Sequence, residues 1–177
     1  MDESDVEFKE STEDAPLEMG DWSKAMINTW TAPEYSVVGV CAEEVIFGEE
    51  AEKLIIESGY TKEQLDAAIK DGNEWALLKY KVYCPEDVAV GDIGLRYTYL
   101  NVTPTYVSGN YKYTCFTTDI THYDNYNARF IQPGEMGEGM CLFSVGKDMK
   151  ELSLRLGDDP DLSDDTEEGR VWYVFNR

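Results

Sequence analysis

Residues 74–84 read EWALLKYKVYC, and this stretch decides the fold class. Apolar residues recur there at every second position, which is the period of a strand with one buried face. The side chains predicted to face inward are Ala76, Leu78, Tyr80, Val82 and Cys84. Pro85-Glu86-Asp87 follows and ends the strand with turn-forming residues. The sequence therefore predicts a long β-strand near the middle of the chain.

Further strand signals flank this stretch on both sides. Upstream, residues 35–41 are rich in β-branched side chains. Downstream, strands are predicted at 93–100, 111–118, 139–145, 152–156 and 171–175. Thr103-Pro104 and Ser108-Gly109-Asn110 read as parts of one long hairpin connection. Seven or eight short strands with frequent turns predict an all-β fold, an antiparallel sandwich or barrel.

A helical insertion is predicted over residues 49–71, between two of the strands. The first helix, from Glu49 to Ser58, ends at Gly59. Thr61 and Gln64 have the spacing of a capping box, which predicts the start of a second helix. Asp71-Gly72 ends that helix, and the strand pattern begins directly after it.

The composition favours one acidic domain. The chain has 177 residues, and its 15 Lys and Arg against 36 Asp and Glu give a formal charge of -21. This charge repels phosphate backbones and anionic lipid surfaces, so we expect no nucleic-acid partner and no direct membrane contact. Residues 1–17 are acidic with few apolar side chains and are predicted to be a disordered tether, leaving 18–177 as the folded domain.

The location of the protein is open from these residues alone. No stretch reaches the roughly 20 apolar residues of a membrane span. Met1 leads directly into acidic sequence, without the pattern of a signal peptide. Either the protein is cytosolic, or a leader has been removed.

A resemblance bears on this choice. Residues 132–156 read QPGEMGEGMCLFSVGKDMKELSLRL and resemble a segment of the telokin-like, immunoglobulin-like extracellular domains of surface lipoproteins of Gram-positive bacteria. In that family a Pro-Gly-Glu turn, a Gly-x-x-x-Phe strand, a Lys-Asp turn and a Leu-x-Leu strand follow one another. The matching residues here are Pro133-Gly134-Glu135, Gly139, Phe143, Lys147-Asp148, Leu152 and Leu154. The resemblance implies an immunoglobulin-like β-sandwich, a removed lipoprotein signal, and a lipid-anchored location on the outer cell surface. It implies no catalytic residues.

The residues themselves also lack a catalytic pattern. The lone histidine, His122, lies in a polar run, and no serine stands in a GxSxG elbow. The four cysteines, Cys41, Cys84, Cys115 and Cys141, have no metal-ligand spacing. We expect them to be reduced and buried, although disulfides remain an alternative. We therefore predict a protein that is not an enzyme and needs no cofactor.

Calcium is the one metal that the sequence leaves open. Residues 158–168 are dense in carboxylates, and calcium takes six to eight oxygen ligands. The candidate ligands are Asp159, Asp161 and Asp164. The run lacks the alternation and the glycine of an EF-hand loop, which favours a solvated loop instead. The alternative function that this hypothesis carries is a structural spacer stabilised by calcium.

Four tyrosines form the candidate binding site. Tyr97 and Tyr99 share one face of a predicted strand, and Tyr111 and Tyr113 share a face of its expected hairpin partner. Cross-strand aromatic pairs stabilise sheets, which alone would explain such a ladder. A ladder facing solvent would instead offer a flat platform for a sugar ring or a peptide. We therefore expect a non-enzymatic binding module for a surface protein or glycan.

Overall fold

A computed structural model of the chain describes residues 6–28, 35–90, 94–96, 100–115, 130–158 and 169–177. Within these ranges the chain forms eight strands and two helices. The strands are β1 (Trp22–Asn28), β2 (Tyr35–Phe47), β3 (Asn73–Tyr83), β4 (Val102–Ser108), β5 (Tyr111–Thr114), β6 (Met136–Gly146), β7 (Glu151–Leu156) and β8 (Val171–Asn176). The helices, α1 (Gly48–Glu57) and α2 (Lys62–Ala68), lie between β2 and β3.

The strands form two four-stranded sheets. One has the order β1-β2-β3-β6 and the other the order β5-β4-β7-β8, and every neighbouring pair is antiparallel. This confirms the predicted all-β sandwich with a short helical insertion. The strand signals near residues 111, 139, 152 and 171 fall on β5, β6, β7 and β8, whereas β1 was not predicted.

The main core lies between the sheets. The predicted inward face of β3 is buried there, and Cys84 lies just beyond its end. From the other sheet, Leu152, Leu154 and Leu156 of β7 are completely buried against it. Burial of each leucine side chain contributes about 1.5–3 kcal/mol, so the alternating pattern of β7 is a main source of stability.

A second, smaller core lies between the helices and the outer face of the first sheet. Trp75 and Leu77 of β3 point to that face and pack with Ile55 of α1 and Leu65 of α2. Both faces of β3 are therefore apolar at its start, whereas Lys79 and Lys81 face solvent further along. The predicted capping box is confirmed. The backbone amide of Gln64 donates to Thr61 Oγ1 over 3.2 Å, and the backbone amide of Thr61 donates to Gln64 Oε1 over 2.8 Å.

The amino-terminal segment differs from the predicted tether. Residues 6–17 lie against the sandwich: the Lys9 amide donates to the Trp22 carbonyl over 2.8 Å, and the Val174 amide to the Leu17 carbonyl over 3.0 Å. Leu17 is 7% exposed and belongs to the main core. The prediction rested on the acidic composition of the segment and took no account of two apolar residues, Phe8 and Leu17. Phe8 forms a β-bridge with Trp22 of the first sheet, and Leu17 forms one with Tyr173 of the second. Residues 1–5 lie outside the described part of the chain.

The predicted long hairpin connection is instead a strand and a tight turn. Residues 102–108 form β4, which pairs with β5 across a two-residue loop, Gly109-Asn110. Pro104 is accommodated because it lies just past the end of β5, where its carbonyl still accepts from the Cys115 amide over 2.9 Å. Of the predicted strand over 93–100, the described residue Leu95 forms an isolated bridge with Ile131.

Candidate functional site

Two of the four predicted site tyrosines lie on β5. Tyr111 and Tyr113 alternate with Lys112, so they share one face of the strand, as predicted. Tyr111 is 70% exposed and Tyr113 is 44% exposed. Their ring centroids lie 6.4 Å apart with an interplanar angle of 57°. Tyr97 and Tyr99 lie outside the described residues.

The hairpin places a different tyrosine beside Tyr113. Tyr106 of β4 is the cross-strand partner of Tyr113, and their rings stack with centroids 5.2 Å apart and an interplanar angle of 21°. Tyr106 is buried, and burial raises the pKa of its hydroxyl above the usual value. The buried ring therefore supports the exposed one, and it fixes the orientation of Tyr113 toward solvent.

Tyr113 forms one wall of an open cleft with a volume of about 480 Å³. The β4–β5 hairpin, the α2–β3 turn and the end of β6 surround this cleft, so both sheets and the helical insertion contribute to it. Its polar lining includes Asp71, Asn73, Ser108, Ser144 and Asp148. The volume lies within the range of small-molecule sites.

Backbone hydrogen bonds hold the walls of the cleft together. The Lys147 amide, in the β6–β7 turn, donates to the Gly72 carbonyl of the α2–β3 turn over 3.0 Å. The Lys150 amide donates to the Val107 carbonyl of β4 over 3.0 Å. Because these bonds join all three walls, the shape of the cleft is preorganised, which lowers the entropic cost of binding.

Side chains in the cleft are also oriented. The Ser108 hydroxyl donates to the Asp148 carboxylate over 2.6 Å. The Asn73 side-chain amide lies 3.4 Å from the Ser144 hydroxyl. Gly146, which also lines the cleft, leaves room for both Asp148 and Tyr106, because a Cβ there would lie 2.9 Å from Asp148 Oδ1 and 3.2 Å from Cε2 of the Tyr106 ring. These groups present hydrogen-bond donors and acceptors at fixed positions around Tyr113.

The thiol in the cleft lacks the character of a nucleophile. Cys115 lines the cleft but is only 7% exposed, and burial raises the pKa of its thiol to about 12. A thiol with this pKa is protonated at neutral pH, whereas a nucleophilic cysteine acts as the thiolate. All four cysteines are free and buried, in agreement with the prediction of a reduced state.

The metal hypothesis concerns residues that lie outside the described chain. The candidate ligands Asp159, Asp161 and Asp164 are not among the residues that the structure describes, and neither is His122. Among the described residues, no group of three or more histidine, cysteine or acidic side chains could hold a metal ion. The calcium site thus stays a prediction, which a comparison of melting temperatures in excess calcium and in chelator would test.

Sequence reasoning missed Tyr106 and the polar residues of the cleft. The sequence Ser108-Gly109-Asn110 did contain a signal for Tyr106. A two-residue Gly-Asn loop sets the register of the hairpin, so residues at equal distances from the loop pair, and Tyr106 therefore pairs with Tyr113. Gly109 has φ of 60°, as such a turn requires of its first residue. The polar lining comes from three distant segments, and no local pattern connects them.

We compared the chain with protein families, curated proteins and solved structures. No protein-family model matches the chain, and no curated protein matches it significantly. It is similar to a solved structure described as "a putative lipoprotein from Staphylococcus aureus subsp. aureus NCTC 8325". That match has 10% identity and a TM-score of 0.45, and it covers 80% of this chain and 86% of the other. Within the described residues, no helix is long and apolar enough to cross a membrane.

Proposed function

We propose that this chain is a non-enzymatic binding module that holds a glycan in the cleft beside Tyr113. The observation that carries the proposal is the tyrosine arrangement. Tyr111 and Tyr113 stay exposed while the buried Tyr106 stacks behind Tyr113 at 5.2 Å. Tyr113 lines the cleft and Tyr111 is its exposed neighbour, and exposed aromatic side chains grouped in this way are typical of ligand-binding surfaces.

A sugar suits the cleft better than an extended peptide. A pyranose ring has an apolar face that stacks on an aromatic ring and a rim of hydroxyl groups that need hydrogen-bond partners. Asn73, Ser144 and Asp148 provide such partners around the ring of Tyr113. A peptide that added a strand to the sheet would instead use the backbone edge of β5, which is only four residues long.

The non-enzymatic part of the proposal is supported by the chemistry of the cleft. Its thiol is protonated at neutral pH, and its carboxylates lie beside stacking and hydrogen-bonding groups without a histidine among the described lining residues. We further propose that the domain is telokin-like and immunoglobulin-like in kinship, and that a lipid anchor holds it at the outer cell surface. The resemblance of residues 132–156 supports this location. Labelling of intact cells with a domain-specific antibody would test it, and labelling only after lysis would contradict it.

The binding proposal is tested by titrating the purified domain with neutral glycan hexamers in a calorimeter. We expect Tyr111→Ala to weaken binding several-fold and Tyr111→Ala/Tyr113→Ala at least about tenfold, because each lost aromatic contact contributes about 0.5–1.5 kcal/mol. Tyr111 is 70% exposed, so its single variant leaves the fold intact. Tyr111 adjoins the cleft through its ring contact with Tyr113. Phe130→Ala is the matched control, since Phe130 is an exposed aromatic residue, 40% accessible, that neither lines the cleft nor belongs to the contacts among the three tyrosine rings. Binding of a peptide pool with no glycan binding would overturn the proposal.

A further inference from the structure

The cleft carries negative charge that a neutral sugar does not complement. Asp71 and Asp148 both line it, and both side chains are exposed. Among the ion pairs of the described residues, neither carboxylate takes part in one. Asp148 accepts a hydrogen bond from the neutral Ser108 hydroxyl, which orients the carboxylate but leaves its charge uncompensated.

The aromatic wall adds a second attraction for positive charge. The faces of tyrosine rings carry negative potential, and cations bind over them. Tyr113 lines the cleft, and Tyr111 adjoins it outside the lining, with ring centroids 6.4 Å apart and an interplanar angle of 57°. The stacked Tyr106 holds Tyr113 in this orientation. A cation over the Tyr113 face that lines the cleft is attracted by this ring and by the two carboxylates, Asp71 and Asp148, of the same lining.

The charge of the whole chain acts in the same direction. The formal charge of -21 gives a field that attracts cations and repels anionic ligands such as phosphate, sulfate and uronic acids. Lys70, at the rim, is the one cationic side chain among the described lining residues. One lysine against two carboxylates leaves the cleft negative.

From these observations we infer that the cleft selects a glycan bearing a free, protonated amine, such as an oligomer of unacetylated glucosamine. This inference rests on the proposed glycan-binding function and narrows it to an amino sugar. The sugar ring lies against Tyr113, and its ammonium group donates to the carboxylates of Asp71 and Asp148. An N-acetylated sugar has the same ring but no positive charge, so it loses the charge-assisted hydrogen bonds.

The inference is tested with two hexamers that differ only in the acetyl group, glucosamine and N-acetylglucosamine, beside a neutral glucose hexamer. We expect the glucosamine hexamer to bind at least about tenfold tighter, because hydrogen bonds to charged groups contribute more than neutral ones. High ionic strength should reduce this preference, since the carboxylates are exposed and screened by salt.

Charge-removing variants identify the groups responsible. Asp71→Asn and Asp148→Asn keep the shape of the side chain, and we expect each to reduce the preference for the glucosamine hexamer over the neutral glucose hexamer several-fold. Asp87→Asn is the matched control, because Asp87 is an exposed aspartate just beyond the opposite end of β3. This control should retain the full preference.

The outcomes separate the two proposals. Equal binding of the glucosamine and N-acetylglucosamine hexamers would overturn the amine selectivity and leave the glycan-binding module standing. A preference that survives in the Asp71→Asn/Asp148→Asn double variant would also overturn the inference, since other charges would then cause it. Failure of all three hexamers to bind would contradict the proposed function itself.

Discussion

The hydroxyl of Tyr173, in β8, donates to the backbone carbonyl of Val40, in β2, over 3.0 Å across the interior of the sandwich. The same oxygen lies 2.9 Å from the carbonyl of Asp21, the residue just before β1. Tyr173 is completely buried, and burial raises the pKa of its hydroxyl. A polar group at this depth is stable only with its partners in place, so this contact fixes the position of one sheet relative to the other.

Replacement of this hydroxyl should lower the stability of the domain. Tyr173→Phe keeps the ring but leaves buried carbonyls without their donor, and we expect the free energy of unfolding to fall by about 1–3 kcal/mol. Urea denaturation followed by tryptophan fluorescence measures this change. Tyr111→Phe, the same substitution at a 70% exposed residue, should have no effect. Equal stabilities of the two variants would show that the Tyr173 hydroxyl does not join the sheets.

A glycine in β6 provides the second prediction. Gly139 is the cross-strand partner of Tyr80, and the tyrosine ring covers it: a Cβ at Gly139 would lie 2.6 Å from Cε2 of that ring. Gly139→Ala should therefore displace the Tyr80 ring and cost about 1–3 kcal/mol, the usual effect of overpacking a core. In a Tyr80→Ala background the same substitution should cost much less, because the overlapping ring is gone. A cost that is the same in both backgrounds would assign the effect to the backbone of β6.

The sequence predicted the parts of the fold that local patterns encode. The alternation in β3 and β7 identified the buried faces, and the capping box located the start of α2. The packing of Trp75 and Leu77 against the two helices was not predicted. Their positions in the sequence show that the second face of β3 is apolar, but they do not show which element covers that face. Likewise, Tyr111 and Tyr113 were identifiable from their spacing, whereas the cleft depends on Asn73 and Asp148, which only the tertiary fold brings near them.

The amino-terminal segment shows how composition can mislead, and it leads to the third prediction. Phe8 packs over Gly39 of β2, where a Cβ would lie 2.8 Å from the phenylalanine ring, and Leu17 is buried in the main core. Removal of residues 1–7 should leave stability nearly unchanged, whereas Leu17→Ala should cost about 2–5 kcal/mol, as for other buried leucines. Thermal denaturation of the two variants measures the difference. A fully stable Leu17→Ala variant would mean that the segment acts as a tether after all.

The buried cysteines predict that stability falls in mild alkali. Burial raises the pKa of the Cys141 thiol to about 12 and that of Cys84 to about 11, from an ordinary value of 9.0. The folded protein therefore keeps protons that the unfolded chain loses above pH 9, so this contribution to stability is complete below that pH and lost as the pH rises toward the folded-state value. Between pH 8 and pH 10, Cys141 alone should account for a loss of about 1 kcal/mol.

A matched pair of variants separates titration from packing in this alkaline effect. Cys141→Ala removes the thiol, so we expect it to lower stability at pH 8 but to flatten the decline toward pH 10. Val145→Ala truncates another completely buried side chain of β6 that does not titrate, and it should lower stability equally at every pH. Urea denaturation at several pH values gives both slopes. If Cys141→Ala and Val145→Ala decline in parallel with the unsubstituted protein, the Cys141 thiol is not the group whose proton stabilises the fold. The slope then comes from other groups whose pKa values burial raises, among them the thiols of Cys41, Cys84 and Cys115 and the hydroxyl of Tyr173.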